Sequence, residues 1–219
     1  MLTVHHLNNS RSQRVLWLLE ELGVPYEIKH YQRDARTMLA PPELLAVHPL
    51  GKSPVITDDG VTVAETGAIV EYSLARYGEG RLAPSDAIDR LRYTYWLHFA
   101  EGSAMPPLVM TLLFGETVKR APVLVRPIAR AIANTVRTSY LEPQIQRQLD
   151  LMESELARGG WFAGSEISGA DVMMSFPVEA AAQRVGLGDR LKLKGWLQTI
   201  HGRPAYRRAL EKGGPYSFA

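Results

Sequence analysis

The N-terminal part of the chain switches between the two hydrophobic periodicities of regular secondary structure. Residues 2–6 and residues 26–31 alternate apolar and polar side chains, which predicts two strands. Between them, apolar side chains recur at the i, i+3, i+4 and i+7 positions of one helix face: Val15, Leu18, Leu19 and Leu22. Ser10 is the predicted N-cap of this helix and Gly23 its predicted end. The order strand, helix, strand predicts a βαβ unit with a parallel pair of strands.

Residues 51–70 combine several local signals. Pro54 leads into a short apolar run, Asp58-Asp59-Gly60 is typical of a hairpin turn, and a second short run follows. The next helix is predicted to begin at Glu65-Thr66. Upstream of this stretch, a proline pair predicts the start of a short helix over residues 41–47.

The chain changes character after residue 80, where the strand patterns end. Glycines and a proline cluster there, so residues 81–86 are the predicted linker between a first domain, residues 1–80, and a second, residues 87–219. The second domain is predicted to be helical over residues 87–113, with an interruption at Met105-Pro106-Pro107, and over residues 117–140, 144–156, 171–185 and 196–210.

Composition limits the chemistry that the chain can perform. The 219 residues include no cysteine, which excludes disulfides, thiolate metal sites and mechanisms that use a protein thiol. His5 and His6 are neighbours in a predicted strand and therefore face opposite ways, so no metal site is expected. The sequence shows neither a charged leader nor an apolar run of ~18 residues, which favours a cytoplasmic protein.

Charge gives little support for a nucleic-acid or membrane partner. The net charge of +2 is too small to indicate nucleic-acid binding by itself. Residues 116–140 are locally basic, and a helix lying on a membrane surface or on RNA is one interpretation of this segment. Pro122 and Pro127 interrupt it, so we favour the solvated face of a bundle helix and expect neither partner.

Two backbone features of residues 51–70 predict a ligand site. Pro54 has no N–H and precedes a strand, so we expect Val55 to offer its N–H and C=O to a peptide-like ligand. The first N–H groups of the helix at Thr66 carry the positive end of the helix dipole and suit a carboxylate. Together these features predict a clamp for a small anionic peptide.

The order of these elements resembles that of the cytosolic glutathione S-transferases over essentially the whole chain. The resemblance rests on the βαβ unit, the Lys52-Ser53-Pro54-Val55 turn, the hairpin, Glu65-Thr66 at a helix start and the helical second half. A further match is the segment 164–171, in which Ser168 and Asp171 are the predicted capping box of a buried helix. The resemblance implies a thioredoxin-like α/β domain followed by an all-α domain, and a homodimer.

The resemblance also implies roles in glutathione binding. Pro54 would follow a cis peptide bond, and Val55 would pair its backbone with the cysteinyl part of glutathione. Glu65 and Thr66 would hold the γ-glutamyl end, with simple helix capping as the alternative. Lys52 would meet the glycine carboxylate, with a solvated lysine beside a turn as the alternative. The further candidates for contact with glutathione are Ser53, Gln13 and His48.

Catalysis in such an enzyme requires the glutathione thiolate. A thiol pKa of ~8.5 must fall by ~2 units, which needs about 2.7 kcal/mol of preferential stabilisation of the anion. Ser10 lies where a hydroxyl and the dipole of the first helix coincide, and the family uses Tyr, Ser or Cys near this position. Ser10 is therefore the predicted catalytic residue, with a plain N-cap as its alternative. The other candidates are its neighbours Asn9, Arg11 and Ser12.

We expect a pocket for the second substrate, a hydrophobic electrophile, between the two domains. Its apolar candidates are Met105, Leu108, Met110, Leu112, Tyr216 and Phe218. Each of these side chains could equally belong to helix packing or to the chain end. The predicted activity is glutathione transfer to hydrophobic electrophiles, with peroxidase activity on organic hydroperoxides or non-catalytic glutathione binding as the alternatives. Glutathione is the predicted co-substrate, and no metal is expected.

Overall fold

The computed structural model describes residues 1–34, 36–37 and 39–218. The chain begins with the predicted βαβ unit, formed by strand β1 (Thr3–Leu7), helix α1 (Ser12–Leu22) and strand β2 (Glu27–Tyr31). β1 and β2 pair in parallel. α1 ends at Gly23, whose φ of 66° is the left-handed conformation that glycine adopts without steric cost.

The predicted hairpin completes the sheet with strands β3 (Val55–Asp58) and β4 (Val61–Ala64). Its turn residues Asp59 and Gly60 have φ angles of 47° and 85°, the positive values that a tight hairpin turn requires. β3 pairs antiparallel with both β1 and β4, so the strand order is β2-β1-β3-β4 and β3 is a central strand. The peptide bond that precedes Pro54 is cis, as the resemblance implies.

The other regular elements of the described chain are helices. A one-turn 3₁₀ helix (Pro42–Ala46) precedes the hairpin, and helix α2 (Thr66–Tyr77) follows it. The second half consists of α3 (Ala87–Phe99), α4 (Met105–Arg120), α5 (Arg126–Val136), α6 (Glu142–Gly159), α7 (Gly169–Arg184), α8 (Leu191–Gly202) and α9 (Pro204–Gly213). Short π-helical turns, Ala100–Ala104 and Arg137–Leu141, join α3 to α4 and α5 to α6. The architecture is a thioredoxin-like α/β unit followed by an all-α unit, as predicted.

The helix predicted from residue 87 is divided close to the predicted interruption at Met105-Pro106-Pro107, since α3 ends at Phe99 and α4 begins at Met105. The π-helical turn Ala100–Ala104 leads directly into α4, and both prolines lie in the first turn of α4. A proline is tolerated there because the first N–H groups of a helix have no intrahelical partner. The helix also continues past residue 113, its predicted end, to Arg120.

Two other segments predicted as single helices are divided. The segment 117–140 is broken at residues 121–125, where Pro122 ends the helical run before α5 begins. The segment 196–210 comprises parts of α8 and α9, which meet at Arg203 because Pro204 begins a new helix.

α5 is largely exposed and packs through one half-buried face. None of its described residues is buried, and Ile128 and Ile132 are 63% and 57% exposed. Ala129, Ala133 and Val136 form a half-buried face that packs towards α4, so the segment is a bundle helix with a solvated face, as predicted. Of the helices that the described residues form, none combines the length and the apolar content needed to cross a bilayer.

One hydrophobic core runs through both halves of the chain. α1 packs against α9 and α7 as well as against β1 and α2, so it lies between the sheet and the second-half helices. Trp17 of α1 meets Tyr206 of α9 with ring centroids 5.4 Å apart. Residues of the predicted linker are bound into the structure, since the N–H of Gly169 donates to the Leu82 carbonyl at 2.8 Å.

Candidate functional site

A cavity of about 220 Å³ opens where the hairpin, α1 and the second half meet. Its wall is formed by Arg11, His48, Leu50, Lys52, Ser53, Pro54, Ala64, Glu65, Thr66 and Glu101. Most of the residues predicted to bind glutathione therefore share one wall. We call this space the smaller cavity.

The first turn of α2 presents backbone N–H groups to the smaller cavity. Glu65, just before α2, has φ 69° and ψ 125°, an uncommon conformation for a residue other than glycine. Glu65 occupies the N-cap position of α2, but its side chain accepts no hydrogen bond from the described residues of the first turn, so side-chain capping does not account for its carboxylate. Its side chain is exposed, while Thr66 is buried at the helix start. A carboxylate and a helix N-terminus thus lie side by side, as an amino acid head group requires.

A partly buried ion-pair network holds this helix start against the second half. The guanidinium of Arg14 is 1% exposed and donates to Thr66 Oγ1 at 3.3 Å, to the Met173 carbonyl and to Glu101. Glu101 also accepts from Arg11 Nε at 3.0 and 3.1 Å. Burial would raise the pKa of Glu101, but the charges of Arg14 and Arg11 outweigh burial and lower this pKa. Glu101 is therefore an ionised bridge between two arginines of the α1 region.

Sequence reasoning missed Arg14 and Glu101. Arg14 carries one detectable signal, because it is a charged residue immediately before the apolar positions of α1. Glu101 carries none, because its role depends on a contact with a helix 87 positions away in the sequence.

Val55 does not have the free backbone groups that were predicted. It lies in the central strand β3, in register with His5 of β1 on one side and with Ala64 of β4 on the other. A central strand uses its N–H and C=O groups on its neighbours, so the prediction for Val55 is wrong. The cavity wall instead includes Ser53 and Pro54, which precede β3. The hydroxyl of Ser53 donates to the His5 carbonyl at 2.8 Å.

The remaining predicted contacts divide between the cavity and the core. Lys52 is exposed and His48 is partly buried, and both line the smaller cavity. Gln13 is buried on the side of α1 that faces α9, where any side chain at Gly213 would collide with its amide. In the part of the chain that the structure describes, Gln13 belongs to neither cavity wall, so its predicted contact with glutathione is not supported.

A second, larger cavity of about 750 Å³ adjoins the first, and Arg11 is part of both walls. The wall of this larger cavity is formed by Asn8, Asn9, Ser10, Arg11, Arg33, Met105, Val109, Leu112, Phe176, Gln183, Arg184, Ser217 and Phe218. Its apolar face comes from α4 and the chain end, which include predicted residues, and from Phe176 of α7, which was not predicted. The shared residue Arg11 makes the two cavities neighbours rather than separate sites.

Half of the apolar side chains predicted for the electrophile pocket line the larger cavity: Met105, Leu112 and Phe218. Leu108 is buried in the core and Met110 packs against it. Tyr216 is held away because its hydroxyl donates to Glu179 Oε2 at 2.6 Å. In the described residues, the wall thus excludes Leu108, Met110 and Tyr216.

Ser10 lines the larger cavity, and a buried chain of hydrogen bonds runs from its hydroxyl into the core. Its Oγ is 2.7 Å from Ser12 Oγ and accepts from the Ser12 N–H at 3.2 Å. Ser12 Oγ is in turn 2.9 Å from His6 Nδ1. α1 begins at Ser12 with Arg11 at the N-cap position, one residue later than predicted. Ser10 therefore supports the first turn of α1 through its side chain without being its N-cap residue.

Burial and contacts distinguish the other candidates near Ser10. Ser12 is fully buried, so it is wrong as a direct ligand of a bound thiol. Asn9 has a φ of 48°, and its Oδ1 accepts from the Ser217 N–H at 2.8 Å, which fixes the chain end over the larger cavity. Arg11 lines both cavities, so it stays a candidate for contact with a bound thiolate. Among residues 1–34, 36–37 and 39–218, no group of histidine, aspartate and glutamate side chains is arranged to hold a metal ion.

Family profiles match both halves of the chain. The profile described as glutathione S-transferase, N-terminal domain, matches residues 1–75, and that described as glutathione S-transferase, C-terminal domain, matches residues 120–204. Glutathione S-transferase 3 of Schizosaccharomyces pombe is 40% identical over 97% of this chain and 88% of its own length. Glutathione S-transferase 1 of Saccharomyces cerevisiae is 33% identical over 97% of this chain and 95% of its own length.

Solved structures agree with these matches. A glutathione S-transferase from Actinobacillus pleuropneumoniae superposes with a TM-score of 0.79 at 32% identity, covering 100% of this chain and 95% of that one. A glutathione transferase family member from Pseudomonas fluorescens, with two glutathione bound, gives a TM-score of 0.75 at 25% identity over 96% and 92% of the two chains. The profiles, the relatives and the architecture together show that the chain is an enzyme of the cytosolic glutathione S-transferase family.

Proposed function

We propose that the chain binds glutathione in the smaller cavity and transfers it to hydrophobic electrophiles held in the larger cavity. The proposal is carried by the adjacency of the two cavities at Arg11, with the predicted glutathione contacts on one side and an apolar wall on the other. We further propose residues 1–80 as the glutathione-binding domain and residues 87–219 as the domain that contributes the electrophile pocket.

The proposed orientation of glutathione follows from the charges of the smaller cavity. The γ-glutamyl carboxylate lies at the Thr66 N–H and its ammonium group faces Glu65, since each group then meets the opposite charge or dipole. The glycine carboxylate lies near the exposed ammonium of Lys52. Ser53 takes the backbone pairing with the cysteinyl part that had been assigned to Val55, because Ser53 lines the cavity and precedes the paired strand β3.

This orientation directs the thiol towards the boundary between the cavities. There the Ser10 hydroxyl donates to the sulfur, and the guanidinium of Arg11 and the dipole of α1 favour the anion. The thiol proton leaves to solvent, and the thiolate forms a carbon–sulfur bond with the electrophile. Ser10 must turn its hydroxyl from Ser12, which lies 2.7 Å away, to the sulfur.

Replacing Ser10 by alanine tests this assignment. We expect kcat at neutral pH to fall ~10- to 100-fold and the pKa of the bound thiol to rise by about 1 to 2 units, with the KM for glutathione nearly unchanged. Conjugation of a chloro-nitrobenzene gives kcat, and ultraviolet absorbance of the thiolate gives the pKa.

Ser154→Ala is the matched control, because Ser154 is an exposed serine of α6 that lines neither cavity. An unchanged thiol pKa in Ser10→Ala would remove Ser10 from the mechanism. The same titration of Arg11→Gln would then test the remaining cation.

We also propose that the chain forms a homodimer through α3. Ile88, Leu91 and Tyr95 lie on one face of this helix and are 67%, 68% and 48% exposed. Sedimentation equilibrium should give twice the 24.4 kDa chain mass. A monomeric mass at micromolar concentration would contradict the proposal.

A further inference from the structure

A row of apolar side chains is exposed on α5 and on the turn that precedes it. Leu124, Ile128 and Ile132 follow one another at four-residue intervals, and they are 93%, 63% and 57% exposed. Val123 and Val125, beside this row, are 75% and 47% exposed. We call these five residues the apolar ridge. The half-buried face of α5 that packs towards α4 is a different row, so the ridge is left to solvent.

The turn that carries the ridge is held by hydrogen bonds. The Pro122 carbonyl accepts from the N–H groups of Val125 and Arg126, both at 3.0 Å. The guanidinium of Arg126 donates to the Ala121 carbonyl at 3.2 Å, where α4 ends. Pro127 lies in the first turn of α5, where a proline is tolerated. The two prolines that weigh against a surface helix in the sequence therefore shape this turn and leave the ridge continuous.

The segment that carries the ridge is cationic. Residues 116–140 contain five lysines and arginines and a single acid, Glu116. Lys119 and Arg120, in the last turn of α4, share this acid at 2.8 and 3.9 Å, so its one negative charge offsets only one of their two positive charges. Arg130 is exposed on α5. An aliphatic surface and an excess of positive charge thus occupy the same segment.

This combination matches an anionic lipid bilayer. Aliphatic side chains are stabilised when they insert between acyl chains, and lysine and arginine are attracted to anionic headgroups. A nucleic acid would use the positive charge but not the ridge, because bases stack on aromatic rather than aliphatic side chains. A second copy that met this one ridge to ridge would bring the two sets of positive charges together.

We propose that the apolar ridge docks this chain on the surface of anionic bilayers, with Leu124 among the acyl chains and Lys119 and Arg120 at the headgroups. Docking of this kind is peripheral and reversible, because only a few side chains leave water. In the part of the chain that the structure describes, neither cavity wall includes a ridge residue. The inference therefore goes beyond the proposed function and does not depend on it.

Co-sedimentation with sucrose-loaded vesicles at about 0.1 M salt tests the docking. Vesicles of phosphatidylcholine with about 30% phosphatidylglycerol should bind the chain at least ~10-fold more tightly than vesicles of phosphatidylcholine alone. Leu124→Ser should weaken binding to the anionic vesicles at least ~10-fold, because the inserted side chain is lost. The double variant Lys119→Gln, Arg120→Gln should weaken it by about 10- to 30-fold.

Leu191→Ser is the matched control. Leu191 is 74% exposed and is followed by the exposed Lys192, but it lies at the start of α8, outside the ridge. This variant should bind the anionic vesicles as the wild type does. Circular dichroism and glutathione conjugation in vesicle-free solution should be unchanged in Leu124→Ser, which would show that the variant is folded.

A site-specific label reports which surface meets the bilayer. The chain has no cysteine, so Leu124→Cys and Leu191→Cys each provide one thiol for a nitrobenzoxadiazole label. Fluorescence of the label at position 124 should increase on anionic vesicles and be quenched by spin-labelled lipid. Fluorescence of the label at position 191 should not change.

Four results would overturn the inference. One is equal or no binding to the two kinds of vesicle, and another is binding that Leu124→Ser leaves intact. A mass above that of a dimer in vesicle-free solution, reduced by Leu124→Ser, would assign the ridge to a second copy. Binding of a labelled RNA oligonucleotide in place of vesicles would assign the segment to nucleic acid. Absence of conjugation by the wild type would overturn the proposed function alone, since vesicle binding is measured without substrate.

Discussion

His6 illustrates how a single buried side chain couples the site to pH. Its ring is 3% exposed, with Nδ1 2.9 Å from Ser12 Oγ. Burial, and then the nearby His30 ring, lower the pKa of His6 to about 4, although a hydrogen bond to the Gly213 backbone opposes the shift. His6 is therefore neutral in the folded chain at neutral pH. Its Nδ1 is hydrogen-bonded to the Ser12 hydroxyl, which is in turn hydrogen-bonded to the Ser10 hydroxyl.

This shift has a defined effect on stability. Between about pH 4 and 6.5 the unfolded chain binds a proton at His6 that the folded chain does not, so the contribution of His6 is complete above pH 6.5 and is lost as the pH falls through 4. We expect the titration of His6 to lower the free energy of unfolding by about 2 kcal/mol when the pH is lowered from 7 to 5.

The variant His6→Asn isolates this effect, because the asparagine oxygen can replace Nδ1 as an acceptor without titrating in this range. Urea unfolding at both pH values should show a smaller acid-induced loss of stability in the variant than in the wild type. Equal losses in the two proteins would contradict a neutral, buried His6.

At the scale of the element, α7 depends on its first turn. Ser168 and Asp171 form the predicted capping box, in which Asp171 Oδ2 accepts from the Ser168 N–H at 2.9 Å. Asp171 Oδ1 also accepts from the Phe162 N–H at 3.0 Å and from Trp196 Nε1 at 3.2 Å. Burial raises the pKa of Asp171 to about 6, and these donors oppose the rise. One carboxylate therefore ties α7 to the preceding loop and to α8.

Replacing Asp171 by alanine should lower the free energy of unfolding by about 3 kcal/mol, because it removes a cap and leaves buried N–H donors without an acceptor. Asp86→Ala is the matched control. Asp86 is the exposed N-cap of α3 and accepts from two backbone N–H groups, so its loss should cost about 1 kcal/mol. Similar costs for the two variants in urea unfolding would show that the buried network of Asp171 adds nothing to a simple cap.

At the scale of the whole molecule, α1 packs against both halves of the chain. Its residue Glu20 accepts from Arg208 at 2.8 Å and from Lys212, both in α9, and Glu21 pairs with Arg203. The apolar face of α1 belongs to the same core as α7 and α9. The first half of the chain therefore buries one of its own helices against the second half.

We expect the chain to unfold in one cooperative transition, because separating the halves would expose the buried surface of α1 to water. Hydrogen exchange at increasing urea, read by mass spectrometry, can follow peptides of residues 1–78 and of residues 87–213 independently. Both sets should lose protection at the same urea concentration. An earlier midpoint for either set would show that the two halves are separate folding units.

The parts of the site that were predicted from sequence are those that lie close together along the chain. Lys52, Pro54 and Thr66 belong to one local strand and turn pattern, so their common location follows from the hairpin between them. Val55 was misassigned because periodicity does not reveal which strands flank β3. The pairing of β3 with β1 consumes its backbone groups, and that pairing is a tertiary event.

The sequence by itself determined the βαβ unit, the hairpin, the capping box and the helical second half, because each depends on side-chain periodicity or turn chemistry within a few residues. Only the tertiary structure decided that Arg14 and Glu101 hold the helix at Thr66, and that Arg33 and Arg184 share a cavity with Phe218. These contacts join residues far apart in the chain. Their geometry depends on how elements distant in the sequence, such as α1 and α7, pack against each other, which no local pattern specifies.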